Sequence, residues 1–280
     1  MTKIRESPDV GGVSTVHHAP MGSANIQGPL WNANPPDWAE LNEPLQVPFY
    51  EAVFDALDLK AGMRLLDAGC GAGGALVLAA KRGAIGAGLD AAPGLLGIAR
   101  DRLPDADLRE GDLEALPWAD ETFDVATAFN AVQYAENPVA ALAEIRRTLR
   151  GGGRIGVVTW GAPEHCEMRD VLAAVGSVLP PPPPGAGGPF ALSAPGALEG
   201  LLADAGFTAV GAGDVDTPYA YADLDAAWRS IAAAGPGKRA IEHAGLDATR
   251  AAVVPAFAAY AGTDGVVRLS NVFRYVIGQK

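Results

Sequence analysis

The 280-residue sequence has few cysteines, little positive charge and no long uninterrupted apolar run. Its two cysteines, Cys70 and Cys166, are too few for a disulfide framework or a zinc site, so we interpret them as free thiols in a reducing cytoplasm. With 21 basic against 33 acidic residues the net charge is −12, which disfavours nucleic acids and anionic membrane surfaces as partners. No apolar stretch is long enough for a membrane span, and we expect no signal peptide in the polar N-terminus.

What the chain does have is apolar residues (49%) and a regular alternation of strand-like and helix-like segments. Short apolar runs occur at 63–69, 84–90, 106–112, 123–130 and 153–160, and helical patterns lie between most of them. This alternation predicts a parallel sheet with helices on both faces. In such sheets the ligand binds beyond the carboxyl ends of the strands.

Four polar residues follow four of these predicted strands. They are Asp67, Asp90, Asp112 and Asn130. Because parallel strands end at the same edge of a sheet, we expect these side chains to face one ligand.

The rest of the chain is less regular, and we divide the whole sequence into five parts. They are a flexible arm at 1–28, a helical cover at 29–60, a core at 61–160, a lid or substrate insert at 161–206, and the end of the core sheet with a helical insertion at 207–280. The insert contains five consecutive prolines, which favour an extended connector. The arm covers its own site or a neighbour's, and it is our candidate contact for a homo-oligomer.

The run LLDAGCGAGG at 65–74 places glycine at 69, 71 and 73 between a strand and a helix. Glycine lets the main chain approach a ligand closely and turn sharply, and the helix N-terminus then offers free N–H groups. Gly69, Gly71 and Gly74 also match the dinucleotide fingerprint, so a nicotinamide-dependent oxidoreductase is one interpretation.

The acids beside this loop favour a different ligand. Asp67 directly before it would repel a pyrophosphate but would attract an ammonium group. Asp90 lies at the end of the next strand, where a carboxylate binds ribose hydroxyls, and Asp112 adds a third acid. A nucleoside with an amino group and no phosphate fits these charges, which indicates S-adenosylmethionine.

Together, LLDAGCGAGG, GLDAAPGLLGIAR and the stretch from EGDLEALPWADETFD to GGGRIGVVTW resemble the class I S-adenosylmethionine-dependent methyltransferases. They are most similar to the ubiquinone/menaquinone-biosynthesis-like, small-molecule branch, over roughly residues 45–160. The resemblance implies a doubly wound, mostly parallel, seven-stranded Rossmann-like sheet whose last strand, at LSNVFRYVI, is antiparallel. It also implies methyl transfer to O, N or C of a small molecule, in natural-product biosynthesis, with S-adenosylhomocysteine as product.

The resemblance also implies roles for individual residues. The residues assigned to the cofactor are Asp67 at the amino group, Gly69, Gly71 and Gly73 in the loop, Asp90 at the ribose, Ala91, Asp112 and Leu113 at the adenine, Asn130 at the methionine end, and Gln133, whose role is open. Asp112 is alternatively a turn or cap acid.

For the acceptor, aromatic residues near the strand ends or in the cover are candidates for an apolar wall: Trp31, Tyr50, Tyr134 and Trp160. Among the four histidines His165 is the best placed for a general base, although the pattern favours a solvated loop histidine. No acid and histidine pattern predicts a metal site. A protein of this fold that uses the cofactor without methyl transfer, such as a cyclase, is a further alternative.

Overall fold

The computed structural model describes residues 22–181 and 188–280, which surround one seven-stranded sheet. The strands of this sheet, in chain order, are β1 Arg64–Ala68, β2 Ile85–Asp90, β3 Asp107–Glu110, β4 Phe123–Phe129, β5 Leu149–Trp160, β6 Thr208–Asp216 and, after two short strands of another sheet, β9 Val272–Gln279. Their spatial order is β3-β2-β1-β4-β5-β9-β6. The first five are parallel, and β9 is antiparallel to both β5 and β6, which confirms the predicted sheet.

Helices cover both faces of the sheet. Those of the core are α4 Gly74–Lys81, α5 Pro93–Arg102, α6 Pro138–Thr148 and α8 Ala197–Asp204. Leu65 and Leu66 are fully buried on opposite faces because successive strand residues point to opposite sides. The helix α6 begins where Asn137 accepts the N–H of Ala140, with Pro138 in its first turn, as the sequence predicts.

The N-terminal cover consists of consecutive helical segments: α1 Ala24–Trp31, α2 Pro35–Asp37, a π-helical turn Trp38–Asn42, a 3₁₀ turn Glu43–Gln46 and α3 Val47–Ala56. The helix α1 therefore begins before residue 28, inside the predicted flexible arm; residues 1–21 of that arm lie outside the described residues. The Phe49 ring of α3 contacts Phe129 and Phe273, with ring centroids 5.8 and 4.7 Å away. This contact anchors the cover to the carboxyl edge of the sheet.

The C-terminal region holds a second sheet that the sequence did not reveal. The segment predicted as one last strand forms two, β8 Val267–Leu269 and β9, and β8 pairs with β7 Tyr219–Tyr221. Between them the buried Asn271 accepts the N–H of Met168 with its side chain and that of Thr217 with its carbonyl oxygen. The bond to Thr217 continues the register of β6 with β9 toward that of β7 with β8, and the buried amide of Asn271 interrupts the apolar alternation there.

The inserted helices are α7 Met168–Ser177, α9 Leu224–Ala232, α10 Gly235–Ala244 and α11 Leu246–Ala258. The cover meets α9 through an ion pair of Asp37 with Arg229 and a hydrogen bond from Asn42 to the Ser230 carbonyl oxygen. Within the predicted insert 161–206, α7 packs against α10 and α11, whereas α8 packs against α6 of the core. Three of the insert's five consecutive prolines, at 182–184, lie outside the described residues.

Across the two described ranges, no helix is long and apolar enough to cross a membrane.

Because Phe49 is fully buried between the cover and the sheet, we expect Phe49→Ala to lower the free energy of unfolding by about 3–5 kcal/mol. The control Val47→Ala changes a side chain of the same helix that is 37% exposed, and we expect a change within about 0.5 kcal/mol. Urea unfolding followed by circular dichroism measures both. A loss below about 1 kcal/mol for Phe49→Ala would show that the cover is not anchored there.

Candidate functional site

A cleft lies between the carboxyl edge of the sheet and the N-terminal cover. It is lined by most of the cofactor residues assigned from the sequence: Asp67, Gly69, Gly71, Asp90, Ala91, Asp112, Leu113 and Asn130. The structure therefore brings the ends of β1, β2, β3 and β4 to one cavity, as parallel strands predict. The contacts of these residues indicate which kind of ligand the cleft binds.

The loop after β1 has the backbone conformation for which glycine is suited. Gly69, Gly71 and Gly73 have φ values of 83°, 55° and 83°, in the left-handed region. A Cβ on Gly69 would lie 2.5 Å from the Cβ of Ala131, so a side chain there would also collide with the loop after β4.

The carboxylate of Asp90 holds this loop in place. Its Oδ2 accepts the N–H of Gly71 at 2.8 Å and its Oδ1 accepts that of Ala92 at 2.9 Å. Burial raises the pKa of Asp90, and these N–H donors oppose the rise. Each carboxylate oxygen retains a second lone pair, which leaves Asp90 able to accept a hydroxyl from a ligand in the cleft.

Asp67 is 2% exposed and lies opposite Thr127 in the register of β1 and β4. The Thr127 hydroxyl donates to Oδ1 of Asp67 at 2.8 Å, and within the described residues Oδ2 has no hydrogen-bond partner. Burial, reinforced by the charges of Asp90 and Glu43, raises the pKa of Asp67 to about 7. A buried carboxyl with an unused oxygen facing a cleft is suited to a cationic ligand.

Sequence reasoning missed Glu43, which is 5% exposed and comes from the 3₁₀ turn of the cover. Its carboxylate accepts the N–H of Gly74, the first residue of α4, at 3.3 Å and forms an ion pair with Arg102 of α5. Burial raises the pKa of Glu43, and Arg102 opposes that rise. The N-terminus of α4, where a dinucleotide fold would bind pyrophosphate, thus already faces an anion of the chain itself.

Asp112 contacts the first helix of the cover as well as the cleft. Its Oδ2 accepts the N–H of Ala24 at 2.8 Å and its Oδ1 accepts that of Glu114 at 3.0 Å. Glu114 in turn accepts the N–H of Asn137 at 2.7 Å. Asp112 therefore does act as the cap acid considered in the sequence analysis, at the same time as lining the cleft.

A second cavity adjoins the first and shares with it the residues Trp31, Trp38, Gln46, Asn130 and Tyr134. Its further walls include Trp160 of β5, Met168 and Leu172 of α7, Tyr219 and Tyr221 of β7, Ser230 and Ile231 of α9, and Pro236 of α10. None of its lining residues within the described ranges is an acid, a base or a histidine. This cavity is apolar and aromatic, with hydroxyl and amide groups as its polar atoms.

The hydroxyl of Tyr221 is buried beside that of Ser230, without a hydrogen bond of regular geometry to any described residue. The neighbouring Ser230 hydroxyl donates to the Ala227 carbonyl oxygen at 2.9 Å. Tyr221 itself is 3% exposed and lines the second cavity. An unpaired buried hydroxyl is unfavourable, which suggests that a ligand is its partner.

The candidate acceptor residues fall in different places. Trp31 and Tyr134 line both cavities, with ring centroids 5.2 Å apart, and Trp160 lines the second. Tyr50 lines only the first, where its hydroxyl donates to Gln46. His165 is exposed in a short 3₁₀ turn and lines neither cavity, so a role as base remains a prediction without support from its position.

Gly73 and Gln133 also line neither cavity. Gly73 precedes α4 as its left-handed cap, with the Ala99 Cβ 3.1 Å from where a side chain would begin. Gln133 donates to the Asn130 side chain at 3.0 Å, and its own oxygen is buried without a partner. In residues 22–181 and 188–280 no three acids, cysteines or histidines are grouped as a metal site.

The geometry agrees with comparisons to known proteins. The model of a methyltransferase domain family matches residues 66–157. A demethylmenaquinone methyltransferase of Renibacterium salmoninarum is 34% identical over 119 residues, which are 42% of this chain and 50% of the relative. A malonyl-acyl-carrier-protein O-methyltransferase of Serratia marcescens is 38% identical over 114 residues, 41% of this chain and 45% of the relative. The chain spans about half the length of the curated relatives that it matches.

Among solved structures, the chain is similar to the cyclase SpnF, with a TM-score of 0.54 and 24% identity. The similarity covers 83% of this chain and 80% of that one. At this identity it shows a shared fold, which includes the segments outside residues 66–157.

The pKa of Asp67 has a consequence for stability. A carboxyl whose folded-state pKa is raised to about 7 from 3.8 lowers the stability of the native state as pH rises between these values. We therefore expect Asp67→Asn to raise the free energy of unfolding at pH 8 by about 2–4 kcal/mol, and by little at pH 4.5.

Urea titrations of the ligand-free protein at both pH values test this expectation. The control Asp58→Asn removes an exposed carboxylate, for which we expect less than about 0.5 kcal/mol at either pH. Equal stability of wild type and Asp67→Asn at pH 8 would contradict the account of Asp67.

Proposed function

We propose that this chain, whose core belongs to the class I S-adenosylmethionine-dependent methyltransferases of the quinone-biosynthesis-like branch, transfers a methyl group to a small molecule. The observation that carries the proposal is the charge of the cleft. Asp67, Asp90 and Glu43 are buried around a glycine loop, and the nearest guanidinium, that of Arg102, is already paired with Glu43. Such a cleft favours a ligand with an ammonium or sulfonium group over one with phosphates.

The residues of the cleft fit this cofactor group by group. The free oxygen of Asp67 accepts the amino group, and Asp90 accepts ribose hydroxyls while its other contacts fix the loop. Ala91, Asp112 and Leu113 bind the adenine, and Asn130, whose φ is 50°, presents its main chain to the methionine end. Bound S-adenosylmethionine supplies a methyl group that is already activated by its sulfonium.

The second cavity is our proposed acceptor site because it adjoins the first at Trp31, Asn130 and Tyr134. Its aromatic walls exclude water and orient the acceptor, which is the main requirement for an in-line displacement. The Trp31 and Tyr134 rings, at the boundary between the cavities, stabilise a transferring methyl that carries positive charge. Since the cavity offers no charged partner, the acceptor that fits it is an uncharged molecule with an oxygen for Tyr221.

The structural similarity to a cyclase favours a second candidate function, in which the chain binds the cofactor but uses the adjoining cavity for a reaction without methyl transfer. The two candidates differ in one product. A methyltransferase converts S-adenosylmethionine to S-adenosylhomocysteine in proportion to the acceptor consumed, whereas a cyclase leaves it unchanged.

Cofactor binding is tested by calorimetry with S-adenosylhomocysteine and NADH. We expect Asp90→Asn to weaken S-adenosylhomocysteine binding at least tenfold, because one carboxylate oxygen becomes an amide that repels both Gly71 N–H and a ribose hydroxyl donor. Asp101→Asn, an exposed change of the same charge, leaves the affinity unchanged. Heat from NADH and none from S-adenosylhomocysteine would identify a dinucleotide enzyme instead.

The acceptor cavity is tested without knowing the acceptor. Tyr221→Phe removes a buried hydroxyl that makes no hydrogen bond of regular geometry with the described residues, so we expect the ligand-free protein to keep its stability or gain up to about 1 kcal/mol. Tyr50→Phe removes a hydroxyl bonded to buried Gln46, so we expect a loss of about 1–2 kcal/mol. Thermal unfolding compares the two, and equal losses would show that Tyr221 has a structural rather than a ligand-binding hydroxyl.

A further inference from the structure

The carboxylate of Glu43 lies where a phosphate-binding glycine loop would hold its ligand. It accepts the N–H of Gly74 at the start of α4, and a Cβ on Gly74 would lie 3.1 Å from the Glu43 carboxyl carbon. A Cβ on Gly71 would lie 3.4 Å from Oε1 of Glu43. The glycines of the loop thus leave room for a side chain of the cover as well as for a bound ligand.

Three features show that this position is suited to an anion. The N-terminus of α4 presents the N–H groups of its first turn, of which that of Gly74 donates to Glu43, and it carries the positive end of the helix dipole. Arg102 of α5 reaches the same place, where it donates to the Ala72 carbonyl oxygen at 2.8 Å and pairs with Glu43. Glu43 is nearly completely buried and also lines the cleft.

We infer that Glu43 determines the class of nucleotide that this cleft accepts, by occupying the anion position of the glycine loop and thereby excluding ligands with a diphosphate. The inference rests on the proposed function for the identity of the accepted cofactor. The loop itself matches the dinucleotide fingerprint at Gly69, Gly71 and Gly74, so its backbone does not discriminate between nucleotides with and without a diphosphate. Asp67 adds a further acid in the same cleft, but Glu43 holds the contacts that a diphosphate needs.

The same contact connects cofactor choice to the cover. Glu43 precedes α3 by four residues, and α3 is packed on the sheet through Phe49. A diphosphate has therefore to displace a side chain whose backbone is fixed by the core. An uncharged thioether or a sulfonium at this point has no such conflict.

The test uses ADP as the diphosphate probe and S-adenosylhomocysteine as the reference, both titrated calorimetrically at pH 8. Glu43→Ala leaves Arg102 and the Gly74 N–H free for a phosphate, so we expect it to bind ADP at least tenfold more tightly than wild type. The control Glu40→Ala removes an exposed acid of the same cover segment with the same change of net charge, and it leaves ADP binding as in wild type. Glu43→Gln keeps the shape without the charge and serves as the second variant should Glu43→Ala fail to fold.

Adding Arg102→Ala to Glu43→Ala tests whether ADP uses the vacated position, and we expect ADP affinity to return to the wild-type level. The inference is overturned if Glu43→Ala, or Glu43→Gln in its place, binds ADP no more tightly than Glu40→Ala does. In that case, binding of S-adenosylhomocysteine by the wild type leaves the proposed function intact. Wild-type protein that binds ADP but not S-adenosylhomocysteine overturns both. The two failures are therefore distinguishable.

Discussion

The carboxyl group of Asp67 is buried near the end of β1, with the Thr127 hydroxyl as its one hydrogen-bond partner among the described residues. Burial and the nearby acids Asp90 and Glu43 make its ionisation unfavourable, so that its pKa lies about 7. A core strand gains no stability from such a group. Its presence is explained by a ligand that supplies the missing positive charge, and the remaining site is arranged around that requirement.

The other parts of the site either hold this carboxyl group in place or determine which ligand groups reach it. Asp90 fixes the glycine loop through two main-chain N–H groups, and Glu43 closes the anion position at α4. The cover, anchored by Phe49, separates the acidic cleft from an uncharged aromatic cavity. Charge selection and acceptor selection thus take place in adjoining spaces with different physical character.

Sequence reasoning found the residues whose position depends on local structure. Asp67, Gly69 and Asp90 adjoin strands with clear apolar patterns, so the topology of a parallel sheet places them together. Glu43 was missed because it reaches α4 only through packing of the cover, 31 residues earlier in the chain. Tyr219 and Tyr221 were missed because their small sheet depends on β8, which the pattern alone joined to β9. The polar pair Ser270 and Asn271, which interrupts the apolar pattern, is the feature of the sequence that could have separated β8 from β9.

The central claim, that a buried acid is ionised by its ligand, is tested most directly by counting protons. Binding of S-adenosylmethionine is measured by calorimetry at pH 7 in two buffers of different ionisation enthalpy. If Asp67 titrates near pH 7 and becomes a carboxylate on binding, about half a proton is released per molecule bound, and Asp67→Asn abolishes the release. Binding of equal strength with no proton release in the wild type would show that Asp67 is not the group that receives the cation.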